Sequence, residues 1–244
     1  MDGHFCLLFP FLSTVYSIPP VFSRSKQIPY KQPVSSFFVM SRFVKGSDFH
    51  LPENRDLEQY FFAKETVFKF LEAFRYVSDP TCLTTPTLGD AYYRYEERAV
   101  PVLDIDKRFD YLPKYYFFDI RFPYNIEEKV ELLVVDPPFF LITLDELYEC
   151  ICQLAENNFK VKLVISWLRR FEREFLKKFN EFDLKPTKFQ MKYQTLKPNK
   201  WRNISLYSNY DFKGIKTYDP LKKGKIPAQR FQKARKYKAR KELP

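Results

Sequence analysis

The chain has 244 residues, 45% of them hydrophobic and 19% aromatic, with 5 glycines and a formal net charge of +11. That length and apolar content suit one packed α/β domain with extended ends, and they exclude a disordered chain. The sequence contains neither G-x-x-x-x-G-K followed by Ser or Thr nor G-x-G-x-x-G, which excludes the usual nucleotide-triphosphate and dinucleotide loops.

The positive charge is unevenly placed. Residues 213–244 carry twelve Lys or Arg against Asp219 and Glu242, which leaves the body of the chain near neutrality. Such a segment is a solvated end, a localisation signal or an RNA-binding tail. Four cysteines, Cys6, Cys82, Cys150 and Cys152, form no C-x-x-C pair, and the histidines are His4 and His50. No metal site of ordinary spacing follows from these residues, and a histidine-dependent hydrolase is disfavoured. Reduced thiols fit a cytoplasmic protein. The apolar run Phe5–Pro20 lacks a basic start, is broken by Pro10, Pro19 and Pro20, and is too short to span a membrane. Met40 would begin a chain without it. The expected organisation is a variable extension over 1–54, a catalytic domain over 55–212 and a basic tail over 213–244.

In chain order, near-helical spacing of Leu57, Phe61, Val67, Phe68, Leu71 and Phe74 predicts a helix over 56–74, with Asp56 as its cap. Short strands follow at 81–84, 100–104 and 115–118, with a helix at 87–95 between the first two. The run Val130–Val135 reads as a parallel strand buried on both faces. Asp136-Pro137-Pro138 must end it, because two prolines cannot continue a central ladder. A helix at 144–155, a strand at 161–165 and a helix at 171–179 come next. Alternating Phe189, Met191 and Tyr193 predict a strand, Lys197–Lys200 a turn, and 204–210 a closing strand. Alternating strands and helices with a final antiparallel hairpin describe a doubly wound, mostly parallel sheet, the architecture of class I methyltransferases. In such sheets ligands sit beyond the carboxyl ends of the strands, where Thr84, Asp104, Asp106, Asp119, Asp136 and Ser166 fall.

At the end of the most apolar strand, Asp136 and the Pro137 carbonyl can accept hydrogen bonds from an amine, with the prolines fixing the backbone. Phe139 can stack on a flat base or pack along a lysine stem. Asp104 and Asp106 suit the ribose hydroxyls of a nucleoside cofactor, and Asp119 suits its adenine amine.

Several short motifs occur in a familiar order: Gln59-Tyr60-Phe61-Phe62 with Glu65-Thr66, Thr85-Pro86-Thr87-Leu88, Asp106-Lys107-Arg108-Phe109, Phe117-Phe118-Asp119, Val135-Asp136-Pro137-Pro138-Phe139, and Asn203 to Asp211. With these the chain resembles the eukaryotic elongation-factor 1A lysine methyltransferases, formerly catalogued as probable N6-adenine methyltransferases. The resemblance implies a class I, Rossmann-like fold with a seven-stranded sheet and S-adenosylmethionine as donor. It also implies an acceptor site at Asp136, Pro137, Pro138 and Phe139. It places Thr84, Thr85 and Pro86 beside the cofactor, and Tyr60, Phe61 and Phe62 beside the substrate. The expected activity is methylation of a lysine on an elongation factor, without a membrane partner. The alternatives are an adenine methyltransferase acting on RNA, which the basic tail would favour, and an inactive binding scaffold. A sister group that modifies ribosomal RNA is similar through Leu103–Asp106 but carries zinc-binding cysteines that this chain lacks. Trp167-Leu168-Arg169-Arg170 matches no part of the family pattern.

Overall fold

Leu132–Val135 (β4) has only branched aliphatic side chains, each at most 1% exposed, so both faces of this strand are covered. Burying four such residues contributes on the order of 1.5–3 kcal/mol apiece before the entropy of ordering is set against it. The computed structural model describes residues 51–219. Around β4 it assembles β1 (Pro80–Leu83), β2 (Val102–Asp104), β3 (Tyr115–Phe117), β5 (Lys162–Leu168), β6 (Lys185–Pro186) and β7 (Ile204–Ser208). The seven strands lie in the order β3-β2-β1-β4-β5-β7-β6. β1 to β5 are mutually parallel, whereas β7 runs antiparallel between β5 and β6. This is the doubly wound, Rossmann-like sheet with an antiparallel closing edge that the sequence predicts.

Alternation along each strand supplies two cores. Leu132 and Val134 join Cys82, Val102, Val164 and Leu206 on one face, under helices α1 (Lys64–Ala73) and α2 (Pro86–Glu96). Leu133 and Val135 join Leu83, Leu103 and Ile165 on the other, under α3 (Leu144–Leu154) and α4 (Glu172–Lys178). Thr143 starts α3 with a reciprocal capping box to Glu146. Gly89 fixes how closely α2 approaches the sheet, since a Cβ there would sit 2.1 Å from a methyl of Val102.

Three expectations are corrected. The helix predicted over 56–74 is split: Arg55–Leu57 is a single 3-10 turn, Glu58 adopts a left-handed conformation (φ 53°), and the α-helix begins at Lys64. Asp56 caps nothing; Asn54 caps the turn by accepting from the Asp56 N–H. The strand expected from Phe189 to Tyr193 is absent from the sheet. Its alternating burial has another cause, because Tyr193 bridges Phe62 and the Ala63 and Gln194 amides bond the Lys192 and Phe61 carbonyls. The turn at 197–200 is a short helix, α5 (Pro198–Trp201).

Past residue 212, Ile215 is fully buried and Thr217 bridges Thr187, so the packed body reaches beyond the boundary expected at 213. The part of the expected N-terminal extension up to residue 50 and the part of the expected basic tail from residue 220 lie outside the described residues. Among the described residues no helix is long and apolar enough to cross a membrane.

Candidate active site

Strand order reverses between β1 and β4, and a cleft of about 630 Å³ opens where these strands and β2 end. Thr84, Asp104 and Asp136 follow from the three strand ends, and all three line it. Thr84 takes φ 53°, an uncommon conformation for a β-branched residue that favours glycine elsewhere. Its hydroxyl donates to the Leu83 carbonyl at 2.7 Å, which holds this sharp exit from the sheet. Thr85 is drawn towards β4 by donating to the Val134 carbonyl, 3.3 Å, so its side chain does not cap α2. Pro86 then opens the helix, where the absent N–H is no loss.

Asp136 accepts hydrogen bonds from the Ser166 hydroxyl and, at 3.0 Å, from the Tyr193 hydroxyl. Burial pushes its carboxyl up to about 7, and the two hydroxyl donors only partly oppose that rise. No cation balances it among the described residues. Pro137 is buried, while Pro138 and Phe139 keep part of their surface in the cleft. Phe139 packs edge-on against Trp167, with centroids 5.8 Å apart, and Trp167 in turn stacks on Phe175. The Trp167 stretch that sequence reasoning left unplaced therefore backs the proline loop. Glu58 steadies the same loop from the other side by accepting from the Phe140 N–H at 2.8 Å. Burial raises its carboxyl above the usual range.

Of the three aromatics expected beside the substrate, Phe61 and Phe62 sit deep, 2% and 3% exposed, and Tyr60 is half-buried. All three contribute to the cleft wall. Phe62 packs on Phe70 and Tyr193, which links α1 to the partner of Asp136.

The remaining acids divide. Asp104 lines the cleft, is 5% exposed, and accepts from the Asp106 N–H at 2.8 Å; burial raises its carboxyl to about 7. Asp106 and Asp119 lie outside the cleft wall. Burial works against ionisation of Asp106, but the Arg108 guanidinium at 2.6 Å and the Gln59 amide at 3.0 Å outweigh it and hold the carboxyl below its ordinary value. Asp106 thus ties the segment before α1 to the end of β2. Arg121 binds Asp119 in the same way, at 2.6 Å, and lowers its carboxyl. Sequence reasoning missed Glu58 and Tyr193, since the first depends on a left-handed turn and the second on pairing with a segment 131 residues earlier.

Residues 53–212 match the family described as probable N6-adenine methyltransferase. The chain belongs to this family. A search of curated proteins returns no match. Membership makes the protein a methyltransferase, with S-adenosylmethionine as the donor the family implies. The cleft of this methyltransferase suits that donor. Among the described residues its wall holds three carboxylates, Glu58, Asp104 and Asp136, and no Lys, Arg or His, so it favours a cationic sulfonium over a phosphate-bearing cofactor. Among the described residues no group of three or more His, Cys, Asp or Glu is arranged to hold a metal ion.

Proposed function

We propose that this methyltransferase modifies the ε-amino group of a lysine in a protein, and that the substrate is a translation elongation factor, as the sequence resemblance suggests. The observation that carries this reading is the charge of the cleft: three carboxylates, no cation, and a desolvated Asp136 whose hydrogen-bonding partners are both neutral hydroxyls. An ammonium entering beside Asp136 supplies the missing countercharge, whereas adenine's neutral amine does not.

The bound donor supplies an electrophilic methyl group. Asp104, at the end of β2, would hold its ribose hydroxyls, and the Thr84–Thr87 turn would border it. Asp136 takes the lysine ammonium, and the Pro137 carbonyl accepts a second hydrogen bond that orients the nitrogen. The ammonium must lose a proton before it can attack. Asp136, with a carboxyl near neutrality, is suited to receive it, aided by the desolvation of the amine in a largely apolar cleft. Phe139, braced by Trp167, lies along the lysine stem.

The second reading, methylation of an adenine amine, is favoured by the family's own description. The two part in a transfer assay with radiolabelled donor and cell extract, split between protease and nuclease. Protease should release the label. Release by nuclease would replace lysine with adenine, and no incorporation from any extract would leave an inactive scaffold.

A further inference from the structure

A second hollow, of about 860 Å³, adjoins the cleft and shares Ile204 with it. It forms beyond the end of β5 and beside the start of β7, where antiparallel pairing sets Leu168 against Ile204. Arg169, Lys188 and Arg202 converge on it from three separate segments, and Thr187, Ser205 and Tyr218 add hydroxyl groups. Among the described residues no Asp or Glu lines it. None of the three cations forms an ion pair among the described residues, although acids on adjoining segments do pair, Lys185 with Asp183 at 2.9 Å and Lys216 with Asp211 at 3.8 Å. Arg169 is oriented by donating to the Ser205 hydroxyl at 3.0 Å, and the Thr187 and Ser205 side chains are each 7% exposed residues that floor the site. Three like charges held together repel one another unless an anion joins them.

We propose that this pocket binds an acidic side chain of the protein substrate and so selects which lysine enters the cleft. The inference rests on the lysine reading above. Ser166 contacts Asp136, and Arg169 lies three residues later, in the 3-10 turn that follows β5, a chain span of at most about 10 Å. An extended peptide covers that distance in about three residues, so the selected acid lies about three positions from the lysine.

The test uses the full chain and a set of synthetic peptides, each with one central lysine in a neutral sequence and a single Glu moved from one to six positions away on either side. Binding is followed by fluorescence anisotropy and methylation by label transfer, in wild type and in Lys188→Glu/Arg202→Glu. The expected result is a preference of roughly tenfold for Glu about three positions from the lysine, lost in the variant and weakened by salt. Donor affinity of the variant serves as the folding control. Methylation of all peptides at one rate, with no preference in binding, overturns the pocket while leaving the lysine reading intact. If no peptide is methylated but the Glu preference in binding is present and lost in the variant, the pocket still binds an acidic side chain, while the lysine reading and the selection of a lysine fall together. A labelled single-stranded RNA that binds tenfold more weakly to the variant, with no peptide preference, assigns the pocket to nucleic-acid phosphate instead and overturns the proposal.

Discussion

The cleft at the ends of β1, β2 and β4 and the pocket beside it share Ile204 and open at the same end of the sheet, yet one is walled by three carboxylates and the other by three cations. They also hold charge differently. In the cleft, burial raises Asp104 and Asp136 to about 7, so their ionisation depends on pH and on what binds. In the pocket, Arg169, Lys188 and Arg202 are exposed residues whose charge is moderated by salt. The difference teaches that one end of a sheet can carry two kinds of charge side by side: desolvated acids lie next to solvated cations, an arrangement that under the proposals above separates chemistry from selection.

The comparison breaks most severely where the cleft loses its support. Gly89→Leu should cost about 3 kcal/mol or more, because its Cβ would meet the Val102 side chain at 2.1 Å and push α2 away from β2. Thermal melting would record the loss. An unchanged melting temperature would mean that α2 can shift freely, and the Thr84–Pro86 turn with it.

Removing one acid sharpens the comparison. Asp104→Ala should weaken donor binding by one to two decades, as expected from losing a charged acceptor worth about 1.5–3 kcal/mol. Arg202→Glu, in the pocket, should leave donor affinity within about threefold. Calorimetry with S-adenosylmethionine tests both, and equal losses would erase the distinction between the two hollows.

The division between these sites was only partly readable from the sequence. The unbroken Leu132–Val135 run and the two prolines behind Asp136 are local signals: the first located the central strand, and the second marks the segment 136–139 that lines the cleft. The pocket cations carry no such signal. Arg169, Lys188 and Arg202 are far apart in the chain and meet only through the β5–β7 register and the bends after β6. Tyr193 misled for a related reason: its alternation with Met191 and Phe189 is that of a strand, but its backbone partner is Phe62, outside the sheet. Asp106 read as a cofactor acid because it stands near a strand end, and the guanidinium two residues later occupies its oxygens in the structure.

A further effect, confined to stability, follows from Asp136. Its folded-state carboxyl titrates near 7, above the ordinary 3.8. Below the ordinary value both folded and unfolded chains are protonated and the group has no effect. As pH rises from there towards 7 the unfolded chain releases its proton first, so wild-type stability declines by at most about 1.4 kcal/mol per pH unit. Asp136→Asn keeps an acceptor for Ser166 and Tyr193 without this titration. Its melting temperature should therefore gain on wild type between pH 4 and pH 7 and hold a constant lead above. Parallel melting curves across that range would show that Asp136 is not desolvated.

The most direct measurement is methyl transfer by a folded Asp136→Ala protein, with circular dichroism, a melting curve and donor calorimetry on the same preparation. Transfer should be abolished while donor affinity stays within about threefold of wild type, since in the proposed mechanism this carboxylate takes the acceptor and Asp104 holds the donor. A well-folded Asp136→Ala protein that methylates at the wild-type rate would contradict the account.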